Sequence, residues 1–312
     1  MRIAPRSTDN SVPARGPAVP VAAAILATAF LAAVTGCSSG FGGGGDSAAL
    51  KSLRHLGADA NASKPVTYLD AARVRKLSAA DSKRFATIGN AGGALLGSYR
   101  TGPWGESLKP AQIDTEVDSS VAGHWNGTFD VAAITASLKK NGYTSLDQDG
   151  QDVWKSDGDS EPRLVVTKDE IRWAAGDTPF SAKDPERGDS LAGKKEYQLV
   201  ADCLGDVYRA DFNALTTAKS VRLSALGQQA DDSGKNTEVL CLTVKDQATA
   251  DRVAAKLRAV VKDKAPRFAG TEVTVDKGDH PVVRAEVPDT SSQRPGRLIM
   301  TDLQLWMAAN DG

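Results

Sequence analysis

The clearest periodic segment of the chain lies between Asp130 and Gly142. Val131, Ile134 and Leu138 recur at helical spacing, so they share one face of a helix. Asp130 is a good N-cap residue, and Gly142 suits the position that follows a helix C-terminus. The pattern therefore predicts an amphipathic helix between these two residues.

Alternating and helical patterns continue on both sides of this helix. Strands are predicted where apolar and β-branched residues alternate or cluster, and helices where apolar residues recur every three to four positions. The predicted strands lie at 66–70, 113–121, 152–154, 163–167, 170–175, 221–225, 237–244, 271–275 and 281–287, and further helices lie at 81–88, 199–215, 248–262 and around 303–307. This arrangement of short strands and helices predicts an α+β fold with antiparallel strands.

Two segments without periodicity divide the chain. Residues 37–63 begin with a run rich in glycine and serine, which favours a flexible tether. Residues 177–193 hold two prolines and many small polar residues, which is typical of a linker. The sequence therefore predicts two small α+β domains, at 64–176 and 194–312, each an antiparallel sheet backed by helices.

The N-terminus has the pattern of an export signal. Arg2, Arg6 and Arg15 precede an apolar run over residues 18–34. At about 17 residues this run is at the short limit for a membrane-spanning helix. It also contains Pro20, so it is predicted to be a signal segment rather than a permanent span.

The sequence Val34-Thr35-Gly36-Cys37 closes that run and resembles the lipobox of bacterial lipoproteins. The resemblance implies a diacylglyceryl group on the Cys37 thiol and cleavage between Gly36 and Cys37, with residues 1–36 as the signal peptide. Two or three acyl chains would anchor the protein stably. The implied partners are membrane lipid and the lipoprotein-processing enzymes, and the implied location is the extracytoplasmic face of the cell membrane. The alternative is an ordinary secretory signal with an incidental cysteine.

Composition and cysteine count limit the function further. Removing residues 1–36 leaves 276 residues and changes the formal charge from −1 to about −3, which gives no basic surface for nucleic acid. With Cys37 assigned to lipid, Cys203 and Cys241 remain. A pair of cysteines in an exported protein predicts a disulfide. Buried free thiols or a catalytic cysteine are the alternatives.

Candidate metal and cofactor sites are few. Asp147, Asp149 and Asp152 surround Gly150 and form a weak candidate calcium site. The glycine comes two residues too early for an EF-hand loop, and Asp149-Gly150 is also a good turn sequence. The glycine-rich stretch at 89–97 lacks the lysine of a phosphate-binding loop, so it is predicted to be a mobile or tightly packed loop. No cofactor is predicted.

Histidines offer no motif that defines an enzyme. His55 falls in the predicted tether, and His124 and His280 fall in the two predicted domains. None forms a spaced pair for zinc, and no G-x-S-x-G or S-x-x-K motif is present. A hydrolase would need a site assembled in space, in which His124 or His280 meets a serine, cysteine or carboxylate.

A second, weaker resemblance covers about a tenth of the chain. Gly127-Thr128-Phe129-Asp130, followed by Ile134, Leu138, Gly142-Tyr143 and Val153-Trp154, looks like a pattern in uncharacterised actinobacterial envelope lipoproteins. That resemblance implies no activity, and it carries over only Cys37 as the lipidated position.

The sequence therefore predicts a lipid-anchored envelope protein that binds a ligand or a protein partner without catalysis. An envelope hydrolase is the alternative. A solute-binding receptor is disfavoured because no regular alternation of strands and helices predicts two doubly wound lobes.

Overall fold

The computed structural model describes residues 46–85, 88, 91–96, 102–158, 161–213 and 220–310. The predicted signal peptide, Cys37 and the first part of the predicted tether lie outside the described residues. All of the described residues belong to one compact unit. Within the described ranges, no helix is both long enough and apolar enough to span a bilayer.

The fold is α+β, as predicted. The helices are α1 (Ala48–Leu53), α2 (Ala58–Asn61), α3 (Ala71–Ala80), α4 (Ser82–Phe85), α5 (Gly93–Leu96), α6 (Val131–Lys140), α7 (Lys195–Leu204), α8 (Gln247–Asp263), α9 (Arg297–Met300) and α10 (Gln304–Asn310). The strands are β1 (Val66–Asp70), β2 (Ile113–Ser119), β3 (Ala122–Gly127), β4 (Thr144–Gln148), β5 (Gln151–Lys155), β6 (Arg163–Val166), β7 (Glu170–Ala174), β8 (Arg209–Asn213), β9 (Val221–Ala230), β10 (Asn236–Val244), β11 (Glu272–Asp276) and β12 (Val282–Pro288).

The described strands form one twelve-stranded sheet in the order β11-β12-β10-β9-β8-β1-β2-β3-β7-β6-β5-β4. Every pairing between neighbouring strands is antiparallel. Helices α1 and α7 pack on one face with Tyr68, Val117 and Phe212. On the other face, one apolar cluster includes Trp125 and residues of α3 and α6. A separate cluster packs α8 and α10 against the last strands of the sheet.

Helix α6 confirms the strongest sequence pattern. The Asp130 side chain accepts the N–H of Ala133 at 3.0 Å, which caps the first turn. Ile134 and Leu138 are completely buried. Gly142 has a φ of 84°, the left-handed conformation in which helices commonly end.

The two predicted domains form a single unit. Strand β1 pairs with β2 on one side and with β8 on the other, so the sheet joins segments on both sides of the predicted boundary. The predicted linker at 177–193 packs onto this unit. Leu191 is fully buried, and its N–H donates to the carbonyl of Leu56 at 2.9 Å. The linker prediction is wrong because proline and small polar residues are also found in irregular segments that pack on a domain through backbone hydrogen bonds.

The predicted tether is wrong from residue 47 onwards. The Ser47 side chain caps α1, and Leu50, Leu53 and Leu56 are buried in the sheet-facing core. Their spacing of three residues is a helical signal within an alanine-rich stretch. Burial of these leucines explains why the segment is ordered.

The predicted helix at 199–215 is also corrected. Helix α7 ends at Leu204, and Gly205 follows with a φ of 69°. Val207 and Tyr208 lead into β8, whose Phe212 is buried, while Leu215 lies outside the described residues. The apolar residues that continue the helical spacing lie in a buried strand instead, because β8 pairs with both β1 and β9 inside the sheet.

The predicted disulfide is confirmed. Cys203 on α7 and Cys241 on β10 are bonded, with their Cα atoms 6.1 Å apart. Both residues are buried in the core that α7 forms with the sheet. The bond therefore fixes α7 onto the central strands.

Candidate ligand-binding site

Five ionisable side chains from four segments of the chain meet on one face of the sheet. They are His55, His124, Glu170, Arg172 and Asp184, and we call them the histidine cluster. His124 on β3 lies opposite Arg172 on β7, and Glu170 is two residues from Arg172, so the three share a face. His55 follows α1, and Asp184 comes from the 177–193 segment.

The cluster is a closed ring of contacts. His55 and His124 stack with their ring centroids 3.6 Å apart and an interplanar angle of 7°. His55 Nδ1 lies 2.6 Å from Asp184 Oδ1, and His124 Nε2 lies 3.0 Å from Glu170 Oε2. Arg172 joins the two acids, with Nε 3.0 Å from Glu170 Oε1 and Nη1 2.8 Å from Asp184 Oδ1. Each imidazole is therefore oriented by one carboxylate, and the guanidinium links both carboxylates.

Both acids of the histidine cluster are ionised at neutral pH. The hydrogen bond from His124 lowers the pKa of Glu170 to about 2, and Arg172 acts in the same direction. Burial opposes ionisation of Asp184, but the hydrogen bond from His55 and the charge of Arg172 hold its pKa below the usual value. Two carboxylates and one guanidinium thus carry one net negative charge before any imidazole proton is counted.

His124 is the buried imidazole of the pair. Its side chain is 2 % exposed, and this burial lowers its pKa, although the hydrogen bond to Glu170 opposes the shift. His124 is therefore neutral at pH 7. His55 lies between it and solvent, with a side chain that is 23 % exposed.

A cavity of about 290 Å³ opens beside the histidine cluster, and we call it the His55 pocket. One wall comes from His55 and the start of α2, and the floor comes from β3 and β7. The 177–193 segment supplies the remaining wall. The lining residues are His55, Leu56, Gly57, Asp59, Ala60, Asn61, Ala122, Gly123, Arg172, Trp173, Ala174, Pro179, Phe180, Ser181, Lys183, Pro185 and Asp189.

The sheet beneath the pocket is fixed from its other face. Asp118 Oδ1 accepts the indole N–H of Trp125 at 2.8 Å and that of Trp173 at 3.1 Å. A Cβ at position 123 would lie 1.9 Å from Asp118 Oδ1, so Gly123 is required for this arrangement. Burial, together with repulsion from Glu116, raises the pKa of Asp118 well above its usual value. Asp118 and both tryptophans thus hold β2, β3 and β7 together under the cavity.

The weak calcium candidate lies in a hairpin, and the turn given as its alternative is confirmed. Asp147 and Asp152 are paired across the β4–β5 hairpin, and Asp149-Gly150 forms its turn. Gly150 donates its N–H to Asp147 at 3.4 Å, a contact within that turn. Among the described residues, no group of three or more histidine, cysteine or acidic side chains is arranged to hold a metal ion.

The structure brings together only part of what a hydrolase would need. His124 meets a carboxylate, Glu170, but it is covered by His55. His280 is exposed in the turn between β11 and β12, away from the pocket lining. The one hydroxyl among the lining residues belongs to Ser181, and it accepts the N–H of Lys183 at 3.1 Å. Cys203 and Cys241 are bonded to each other, so neither is a free nucleophile.

Most residues of the site were not predicted from the sequence. His55 fell in the predicted tether and Asp184 in the predicted linker, while Glu170 and Arg172 read as the polar positions of a strand. The helical spacing of Leu50 and Leu53 is the signal that places His55 next to the core.

No family model, no curated protein and no solved structure matches this chain. The resemblance to envelope lipoproteins therefore stays a prediction from the sequence.

Proposed function

We propose that the protein is a ligand-binding module of the cell envelope, held to the membrane through lipid on Cys37, with the His55 pocket as its binding site. The anchor rests on the Gly36-Cys37 pattern after the apolar run. The disulfide supports an oxidising compartment, because such bonds are rare in the cytosol. The observation that carries the binding role is the cavity of about 290 Å³ with an oriented histidine in its wall.

The chemistry of the pocket suits a small ligand with one apolar ring or chain and one polar group. Its volume is near the lower end of the range for small-molecule sites, roughly 300–1,000 Å³. Phe180, Pro179 and Pro185 offer apolar surface, while His55 offers a polar edge. Asp184 is anionic and favours the tautomer of His55 with the proton on Nδ1, and in this tautomer Nε2 offers a lone pair to a donor group.

Filling the pocket is expected to abolish binding and leave folding intact. Gly57 lines the cavity with a φ of −63°, and a Cβ there meets no atom within 4 Å. Gly57→Leu therefore places a side chain in open space, and we expect the free energy of unfolding to change by about 0.5 kcal/mol or less. Ligand-observed NMR with phenol, benzylamine and benzoate as probes measures binding, and we expect the signals seen with the parent protein to disappear.

Gly278→Leu is the matched control, because a Cβ at that exposed turn also meets open space and position 278 is not in the pocket lining. It should bind the probes as the parent does. Equal loss of binding in both variants, or retained binding in Gly57→Leu, would place the site elsewhere.

The anchor has an independent test. We expect cells that express the full chain to incorporate labelled fatty acid into the protein, and Cys37→Ser to lose this label and to be released from the membrane fraction. The double variant Cys203→Ala, Cys241→Ala keeps Cys37 without leaving a free partner thiol, and it should retain the label. Label retained in the Cys37→Ser variant contradicts the anchor and leaves the binding role of the pocket to its own test.

One observation favours an envelope hydrolase as the second candidate. A carboxylate that orients an imidazole at Nδ1 is the arrangement that lets Nε2 act as a general base, here with Asp184 and His55 on a pocket wall. Hydrolysis of p-nitrophenyl acetate should then fall to the background rate in His55→Gln and persist in His280→Gln. Equal rates in both variants exclude His55 as a base for this ester.

A further inference from the structure

Strand β4 forms one of the two edges of the sheet, and no other described strand pairs with its outer side. All five of its residues are exposed. Leu146, in the middle of the strand, is 50 % exposed, and it is one of few large apolar side chains that the described residues leave in solvent. An edge of this kind presents unpaired backbone groups to another strand.

The hairpin fixes which backbone groups of β4 are free. Asp149 and Gly150 have φ angles of 57° and 80°, as a two-residue hairpin turn of type I′ requires. In such a hairpin the flanking residues Gln148 and Gln151 form a hydrogen-bonded pair, and such pairs alternate along the ladder. The N–H and C=O of Thr144, Leu146 and Gln148 therefore face β5. Those of Ser145 and Asp147 face outwards.

We propose that two copies of the chain pair their β4 strands antiparallel about a two-fold axis at Leu146. Ser145 of one copy then exchanges both backbone hydrogen bonds with Asp147 of the other, which uses all the outward groups. Leu146 faces its own counterpart at a non-hydrogen-bonded position, where Cα atoms are about 4.5 Å apart and side chains are closest. The exposed leucine is buried against itself, so this isologous contact is closed after two copies.

Charge distinguishes this edge from the opposite one. A two-fold pairing of β11 about Thr274 would set Glu272 directly opposite Asp276 of the second copy. On β4, Asp147 instead faces Ser145. The two Asp147 residues are diagonal neighbours about 7–8 Å apart in such a ladder, a distance near the Debye length at physiological salt. Their repulsion is therefore weak, and we expect association to strengthen as salt is raised.

The contact is small, so we expect weak pairing in dilute solution. A single short ladder lies below the area of stable interfaces, roughly 1,200 Å² or more. Attachment to one membrane raises the local concentration of copies. The strength of pairing at the membrane, but not its register, thus rests on the lipid anchor proposed above.

Cysteine cross-linking tests the register. In the full chain at its native membrane, Leu146→Cys brings two thiols opposite each other at a spacing that a disulfide can bridge. Thr144→Cys and Gln148→Cys are matched controls, because they are exposed on the same face but face each other's position across the axis. We expect an interchain dimer on non-reducing gels with Leu146→Cys and only the background of the parent chain with either control.

Substitution of Ser145 by a charged residue tests the register a second time. Ser145 is exposed, so we expect these substitutions to leave folding unchanged. In the Leu146→Cys background, Ser145→Lys faces Asp147 of the second copy and should increase dimer several-fold, whereas Ser145→Asp should decrease it several-fold. Four results would each overturn the proposed pairing. Two concern the amount of dimer: an equal amount with cysteine at 144, 146 and 148, or none with cysteine at 146. The others are an adduct of the Leu146→Cys variant with another protein, and equal effects of the two charge substitutions at Ser145. The same cross-linking by soluble protein at high concentration would keep the pairing even if the anchor fails.

Discussion

The protein is expected to be more stable at pH 5 than at pH 7.5, by about 2 kcal/mol or more. Glu116 and Glu238 are almost fully buried. Burial raises the pKa of each to about 7, although backbone N–H groups from Gly92 to Glu116 and from Leu298 to Glu238 oppose the shift. A raised carboxyl pKa means that the folded state binds protons more tightly than the unfolded state, so its stabilisation is present at low pH and is lost as the pH rises towards 7.

Other groups change this profile in known directions. Burial lowers the pKa of His124, so its contribution is lost as the pH falls below its unfolded value, which opposes the two glutamates. The low pKa of Glu170 contributes stability above about pH 4.5 and loses it only towards pH 2. It is therefore constant between pH 5 and 7.5. Burial also raises the pKa values of Asp118, Asp202 and Asp289, which act in the same direction as the two glutamates. These carboxyls outnumber the one imidazole, so the net slope follows them.

Glu116→Gln isolates one of these carboxyls. Gln keeps an oxygen to accept the Gly92 N–H but carries no charge, so the variant should match the parent at pH 5 and exceed it at pH 7.5 by about 2 kcal/mol. Urea unfolding at both pH values measures this difference. Glu106→Gln, at an exposed position, should follow the parent throughout. An unfolding free energy that rises from pH 5 to pH 7.5 in the parent would contradict the assignment.

Loss of the disulfide is expected to lower the free energy of unfolding by roughly 3–4 kcal/mol on the chain-entropy account. Cys203 and Cys241 are 38 residues apart, so the bond restricts a long loop in the unfolded chain. The double variant Cys203→Ala, Cys241→Ala removes the bond without leaving a free thiol. Its urea midpoint should fall, and the slope should rise, because the unfolded chain without the bond exposes more surface.

A reductant provides the control for that comparison. It should lower the urea midpoint of the parent protein and leave the midpoint of the double alanine variant unchanged. The bond would contribute little if the urea midpoint of the parent protein did not change with reductant. The same would follow if the double variant had the urea midpoint of the oxidised parent.

The sequence predicted those helices and strands whose start, buried face and end are determined by neighbouring residues. Asp130, Ile134, Leu138 and Gly142 specify a cap, a buried stripe and an end, and α6 forms between them. The disulfide followed from cysteine count and export, without knowledge of geometry. Helix α6 depends on neighbouring residues, and the disulfide depends on an oxidising compartment, so neither prediction required knowledge of distant contacts.

Non-local pairing accounts for most of what could not be predicted. The junction of β1 with β8 joins residues such as Tyr68 and Ala210, and no local pattern specifies that partner. Because of this pairing, the two predicted domains are one unit. The 177–193 segment, which was predicted to be a linker, therefore packs on that unit and forms a wall of the pocket.

The site shows the same limit. His55 and His124 stack only because α1 packs on the sheet, and Asp184 reaches them only because the 177–193 segment folds back over β7. The glycine-rich stretch is a related case. Gly92 donates its N–H to the buried Glu116, so the described part of that stretch packs against the sheet.

The most direct test of the central claim is to map where small ligands contact the protein. Amide correlation spectra of the isotope-labelled protein, recorded with phenol, benzylamine and benzoate, report the residues that each probe perturbs. We expect perturbed amides at Gly57, Gly123 and Trp173 around the His55 pocket. Perturbations confined to the polar concavity around Arg73 and Lys235, or none at all, would contradict it.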